Sequence, residues 1–306
     1  MVNMKQQIHR LWTQSPSLTA AAIVMLAAFL GSILGIFLDA RTITGVPAWL
    51  KPAKFAISSA IYASTIACLI GYLSDRQKLA KRLGDVIAAV IVLEVALIDL
   101  QAARGTTSHF NATSVLNGVI FSVMGTAIGL LLVVSAWLCL LLMRQRFSDE
   151  TLGWALRLGM FVTVVGSAAG GLMLHPTPEQ LSQHLTGGHT VGALDGGPGI
   201  LGLGWSLHHG DLRVPHFFGL HAVQVIPFLV FLLRRLRRAK ALTFVIAGSY
   251  LGFVSILTWQ ALRGESIVEP GTGTLAALGV WLLATAAGAI STQIGLPARQ
   301  PLGASS

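Results

Sequence analysis

The stretch SVLNGVIFSVMGTAIGLLLVVSAWLCLLLM, Ser114 to Met143, has no Asp, Glu, Lys, Arg or His and is followed at once by Arg144 and Arg146. About twenty apolar residues cross a hydrocarbon core about 30 Å thick, so this segment predicts a transmembrane helix. Working outward, the pattern recurs at Leu18 to Leu38, Phe55 to Leu73, Asp85 to Ala103, Leu152 to Leu174, His216 to Leu233, Leu242 to Leu262 and Thr272 to Ile294. These runs lack period-two alternation, which argues against a barrel, and an unpaired strand finds no hydrogen-bond partners in lipid. The whole chain agrees: 54% of residues are hydrophobic, 11% are charged and mean hydropathy is +0.71, against about 25% charged in soluble domains. The fold class is therefore all-α, a polytopic membrane helix bundle of about eight transmembrane helices.

Basic residues set the orientation, because Lys and Arg collect in short cytoplasmic loops. Counted through eight spans, one side receives fourteen: Lys5, Arg10, Arg76, Lys78, Lys81, Arg82, Arg144, Arg146, Arg234, Arg235, Arg237, Arg238, Lys240 and Arg299. The other receives six, Arg41, Lys51, Lys54, Arg104, Arg213 and Arg263, and Arg157 lies inside the fifth span. Both termini are expected in the cytoplasm. The net charge of +9 is then a topology signal with some affinity for anionic lipid, and it calls for no nucleic acid. Trp12 and Trp154 fall at the inner boundary and Trp49 and Trp259 at the outer one, as interfacial anchors do. The first apolar run is longer than a signal-peptide core, so it is expected to remain as an anchor. Cys68 and Cys139 lie in the inner halves of spans and read as small buried apolar residues, outside any disulfide framework.

The expected organisation is a cytoplasmic segment over residues 1–17, a single transmembrane domain over 18–294 and a flexible cytoplasmic tail over 295–306. An extracytoplasmic glycine-rich loop, 175–215, interrupts the domain. It has no phosphate-binding GxxxxGK[ST] pattern, and Trp205, Leu201 and Leu203 give it material for a folded cap. The segment Thr44 to Phe55 suits a stretch lying along the interface.

Eight of the nine histidines fall on the outer side. Imidazole is a metal ligand, a haem ligand and a proton carrier near neutral pH, so this asymmetry points to a site. His109, His175, His216 and His221 sit at predicted helix ends and are the candidate metal ligands. His184, His189, His208 and His209 read as solvated loop residues. Pro215 suits a first helical turn, which sets His216 beside the positive end of the helix dipole, and Pro227 is expected to kink that helix. His216 and His221 are five apart rather than the four of a zinc-binding helical pair, and no HExxH occurs.

Polar groups at membrane depth are costly and default to functional candidates. Glu94 lies near the bilayer centre, where it is expected to be protonated, and Ser122 or Thr126 on the next helix is positioned to satisfy it. Gln101 shares its helical face. Asp99 lies nearer water, with Arg104 as a pairing partner, and Asn111, Thr113 or Ser114 caps the fourth span. Glu94, Asp99 and Asp211 are the candidate catalytic carboxylates. Arg104, Arg213, Gln224 and Asn111 are candidates for holding a cofactor.

The segments Lys51-Pro52-Ala53-Lys54-Phe55, Arg104-Gly105 with Ser108-His109-Phe110-Asn111, and Gly210-Asp211-Leu212-Arg213 with His216-Phe217, His221-Ala222, Gln224 and Pro227 resemble those of an uncharacterised group of bacterial multi-pass membrane proteins. The resemblance covers most of the chain through the sixth span. It implies a bacterial cytoplasmic (inner) membrane and brings no activity, ligand or catalytic residue with it.

Three chemistries fit these residues. The first is redox chemistry on haem b or a transition metal ion, with His221 and His109 or His175 as ligands, Arg104, Arg213 or Arg263 for propionates, and a small-molecule or quinone-like substrate. The second is metal-dependent hydrolysis at the outer interface, with Asp99 or Asp211 as base or ligand. The third is proton-coupled transport through Glu94, Asp99 and the histidines.

Overall fold

A computed structural model describes residues 4–294; the tail 295–306, with Arg299, lies outside the described residues. After the short helix α1 (Met4–Gln14), α2 (Pro16–Leu38) opens on a proline, whose missing N–H is harmless in a first turn. A hairpin of β1 (Thr42–Ile43) and β2 (Val46–Pro47), closed by Thr44 and Gly45 at φ 50° and 79°, returns the chain into α3 (Leu50–Ile70). The segment expected to lie along the interface is thus this hairpin followed by a helix start.

The helices α4 (Gln77–Ala103), α5 (Val115–Arg144) and α6 (Glu150–Ala169) follow, and a 3-10 turn over Gly170–Leu174 extends α6. The long connection carries α7 (Pro178–Ser182), β3 (Thr190–Val191) and β4 (Gly210–Asp211), which pair antiparallel. The chain then forms α8 (Arg213–Leu220), α9 (Ala222–Leu233), α10 (Ala239–Leu262) and α11 (Thr272–Ile294). Seven helices are long and apolar enough to span a bilayer, and α8 with α9, bent by 53°, makes an eighth. The protein is an integral, multi-pass membrane protein with an all-α bundle.

The ends of these helices follow from local chemistry. The Ser114 hydroxyl accepts the Asn117 N–H at 3.2 Å to start α5, and Asp149 accepts the Leu152 N–H at 3.0 Å to start α6. Arg157, inside α6, donates to the carbonyls of Leu142 and Gln145 at the end of α5 and lies over the rings of Phe147 and Trp154. An arginine at membrane depth is thereby satisfied by orphan carbonyls of a neighbouring helix. The densest packing lies where α2, α4 and α6 begin and α3 and α5 end: Leu18, Ile66, Ile70, Ile87, Leu138, Leu142 and Met160 bury there in one apolar cluster. Cys139 joins it, but Cys68 faces outward from α3, a correction to the expectation that both cysteines are buried. The histidines gather at the opposite end.

The sixth span breaks at His221, six residues before the proline expected to kink it. Gly166 of α6 and Gly219 of α8 meet backbone to backbone: a Cβ on Gly166 would lie 2.3 Å from the Gly219 Cα. A break in lipid frees backbone groups that need partners. The Thr163 hydroxyl accepts the Val223 N–H at 3.0 Å and donates to the Leu220 carbonyl at 3.2 Å, and the Tyr250 hydroxyl donates to the Phe218 carbonyl at 2.7 Å. The bend sits where α6 and α10 supply these partners, while Pro227 stays inside α9 against Gly159.

Candidate functional site

Glu94 projects from α4 nine residues before its last residue, about 13 Å along the axis from that end. Its side chain is 6% exposed and neither carboxylate oxygen has a hydrogen-bond partner. Ser122 and Thr126 do not satisfy it, because both hydroxyls face outward and donate to their own helix, at the Gly118 and Ser122 carbonyls. The group facing the carboxyl is His109, whose Nε2 lies 3.4 Å from Oε1, within ion-pair range but without hydrogen-bond geometry.

His109 sits in the turn between α4 and α5, enclosed by Phe55, Phe110 and Phe121 at ring separations of 5.7, 6.0 and 6.4 Å. Its Nδ1 receives the Lys51 ammonium at 3.2 Å and the Ser108 hydroxyl at 2.9 Å. That pattern assigns the Nε2–H tautomer, so the ring carries its proton on the nitrogen nearer Glu94 without aligning it on either carboxylate oxygen. Burial, reinforced by Lys51, His189 and His216, holds the His109 pKa well below its usual 6.5 and the ring neutral.

The long loop adds a second pair. His189 Nδ1 contacts the Asp195 carboxylate, which also accepts the backbone N–H groups of His189 and Thr190 at 2.9 Å. Burial raises the Asp195 pKa, but His189 and these amides outweigh it and keep the carboxyl well below the usual range. Burial also lowers the His189 pKa, against the opposing pull of Asp195. The expectation that His189 is solvated is corrected here: its ring packs on Phe110 at 5.0 Å, and its side chain is 17% exposed. Asp195 in turn lines a shallow pocket of about 310 Å³ on the long loop with Ser206, His208 and His209. An ordered series of titratable groups therefore runs inward from this pocket: Asp195, His189, then Lys51 with His109, then Glu94.

The remaining candidates divide. His216 donates from Nδ1 to the Gly166 carbonyl at 2.9 Å and fills the space beside Gly170, within electrostatic range of His109. Asp211, 1% exposed, pairs with Arg213 at 2.5 Å and accepts the Ser206 N–H at 2.9 Å, while Arg213 also donates to the Gly204 carbonyl. That pair ties the glycine-rich loop to α8, and Lys54 ties it to α3 through the Leu203 carbonyl at 2.6 Å. Trp205 is buried against Phe217 and Phe218, whereas Leu201 at the loop tip is 99% exposed.

Arg104 does not pair with Asp99. It caps α4 and donates to Gln101 and Asn117, because residues five apart on a helix diverge by about 140°. Asp99 is half-buried, with Oδ1 lacking a partner. Asn111 organises the turn through Thr106, Thr107 and Thr113, and the capping falls to Ser114. His221 stacks on Phe217 at 4.4 Å beside Gln224, whose amide donates to Thr65 at 3.2 Å. Thr65 lies ten residues beyond Phe55 on α3, about 15 Å further down, so His221 and His109 occupy different levels. His175 is exposed, as are His184, His208 and His209.

Among the described residues no three His, Cys, Asp or Glu side chains gather as a metal-binding set, and both nitrogens of His109 face protein groups. Sequence reasoning missed Lys51, His189 and Asp195. For Lys51 a signal existed, two lysines at an outer boundary against the prevailing charge bias. For His189 and Asp195, six apart across a glycine, none did. No protein-family model, curated protein or solved structure matches the chain, so the functional reading rests on this geometry.

Proposed function

We propose that this protein, in a bacterial cytoplasmic membrane, passes protons between the outer aqueous face and the buried Glu94 carboxyl and couples that step to a small solute. The observation that carries this reading is the carboxyl itself. A structural carboxyl at membrane depth is normally saturated with hydrogen bonds, but neither oxygen of Glu94 has one, and the Nε2 of a neutral imidazole lies 3.4 Å from Oε1. His109 takes a proton at Nδ1 and gives one up at Nε2, so it transfers protons without turning over. Asp195 and His189 form the surface end of the path. Below Glu94 lies the apolar cluster around Ile87, Leu138 and Met160, interrupted by the Tyr62–Ser135 hydrogen bond at 2.8 Å.

Reconstitution in liposomes with an internal pH dye tests this. An outside acid step drives proton uptake in the native protein; Glu94→Gln abolishes it and His109→Gln slows it. Unchanged uptake in Glu94→Gln overturns the reading. The redox and hydrolase readings need His109, His175 and His221 to converge, and their surroundings are separate. A Soret band or stoichiometric zinc in the purified protein displaces the proton reading in favour of the corresponding one.

A further inference from the structure

The cluster around Glu94 has an unusual balance of charge. Lys51 and Lys54 lie three residues apart in the first turn of α3, a 21-residue helix whose N-terminal dipole end is positive. Among the described residues neither lysine has a carboxylate within ion-pair distance: Lys51 reaches a neutral imidazole and Lys54 a backbone carbonyl. Arg213 lies within electrostatic range of both. The ionisable groups facing Glu94 are Lys51 from α3 and His109 from the α4–α5 turn, with His189, Asp195, Arg213 and His216 beyond them. The sequence of α2 has no Asp, Glu, Lys, Arg or His, and α5 has only Arg144 at its far end.

With the histidines neutral, three cations, Lys51, Lys54 and Arg213, face three carboxylates, Glu94, Asp195 and Asp211. Asp195 and Asp211 are saturated by their own partners, while Glu94 is more than nine-tenths buried and has none. An ionised Glu94 leaves the cluster neutral. A protonated Glu94 leaves one positive charge in excess, together with two lysines and a carboxyl O–H able to donate.

We infer that the Lys51–Lys54–Arg213 cluster binds an oxyanion, a carboxylate or phosphate group, and that this anion enters together with one proton on Glu94. The inference rests on the proton-exchanging reading and names its solute class. By linkage, anion affinity rises up to tenfold for each unit of falling pH while that single carboxyl titrates.

The test uses the full chain in phosphatidylcholine nanodiscs, with calorimetric titration of acetate and of inorganic phosphate, and a parallel preparation containing phosphatidylglycerol. Wild type is expected to bind more tightly as pH falls from 8 to 6. Glu94→Gln, fixed in the neutral form, is expected to bind acetate with a pH dependence shallower than wild type by up to tenfold per unit, whatever slope remains belonging to the lysines. Lys51→Gln is expected to lose binding and Lys51→Arg to retain it, the second variant guarding against simple misfolding. Binding of free anions assigns a soluble solute; a pH-dependent infrared band of the Glu94 acid that shifts only with phosphatidylglycerol assigns a lipid phosphate. No response to any anion, with liposome proton uptake intact, overturns the oxyanion site and leaves the proton reading standing. Binding that ignores pH in wild type overturns the coupling.

Discussion

Replacing Gly166 with alanine is expected to be a damaging single-methyl change at the contact between α6 and α8. The added Cβ would lie 2.3 Å from the Gly219 Cα and 2.6 Å from its carbonyl carbon, and both obstacles are backbone. No rotamer relieves such a contact, so α8 must move away from α6 by about 1 Å to restore van der Waals spacing. Overpacking costs about 1–3 kcal/mol, and more where backbone moves. The displacement also stretches the Thr163 bonds at the break, worth about 0.6–2 kcal/mol each in lipid. Against this, alanine gains about 1 kcal/mol in helix propensity. The net loss expected for Gly166→Ala is about 2–4 kcal/mol, read as a shifted midpoint in SDS-driven unfolding from mixed micelles. Gly125→Ala is the control, since a Cβ there meets nothing within 4 Å; it is expected to be neutral or slightly stabilising. Equal midpoints for the two variants would refute the backbone contact and, with it, the account of why the sixth span bends where it does.

Thr163→Val keeps the shape and removes both hydrogen bonds at the break, so it is expected to lose about 1–3 kcal/mol in the same assay, whereas Thr126→Val, facing outward, is expected to lose almost nothing. His109 and His189 are also expected to contribute a loss of stability on acidification between pH 7 and 5. His109 and His189 have folded pKa values below the 6.5 of the unfolded chain, so in that window the unfolded state binds protons that the folded state refuses. The associated stability is complete above about pH 6.5 and declines below it by up to about 1.4 kcal/mol per pH unit for each histidine. His109→Asn and His189→Asn should each gain stability relative to wild type as pH falls from 7 to 5, and variants whose thermal midpoints track wild type in parallel across that range contradict the burial of these rings. Asp195, whose pKa is depressed, contributes stability that is lost only below about pH 4 and leaves this window untouched.

The sequence by itself determined the membrane class, the number of spans and the end of the bundle where the histidines collect. These depend on sums over many residues: twenty apolar positions in a row, fourteen basic residues against six, eight histidines against one. The start of the last span at Thr272 could be read to the residue, since Pro270 and Gly271 directly precede it. Only the tertiary structure decided which polar groups meet. Glu94 was legible as an expensive residue, but its partner is His109, reached through a turn, and not the hydroxyls of the facing helix. His189 and Asp195 became a half-buried pair because the loop folds back through the β3–β4 pairing, and Lys51 became part of the site because the Thr44–Gly45 hairpin starts α3 beneath that loop. Burial in lipid is a property of each segment and can be summed along the chain. A contact at 3 Å depends on how segments far apart in sequence are brought together, and no local sum contains it.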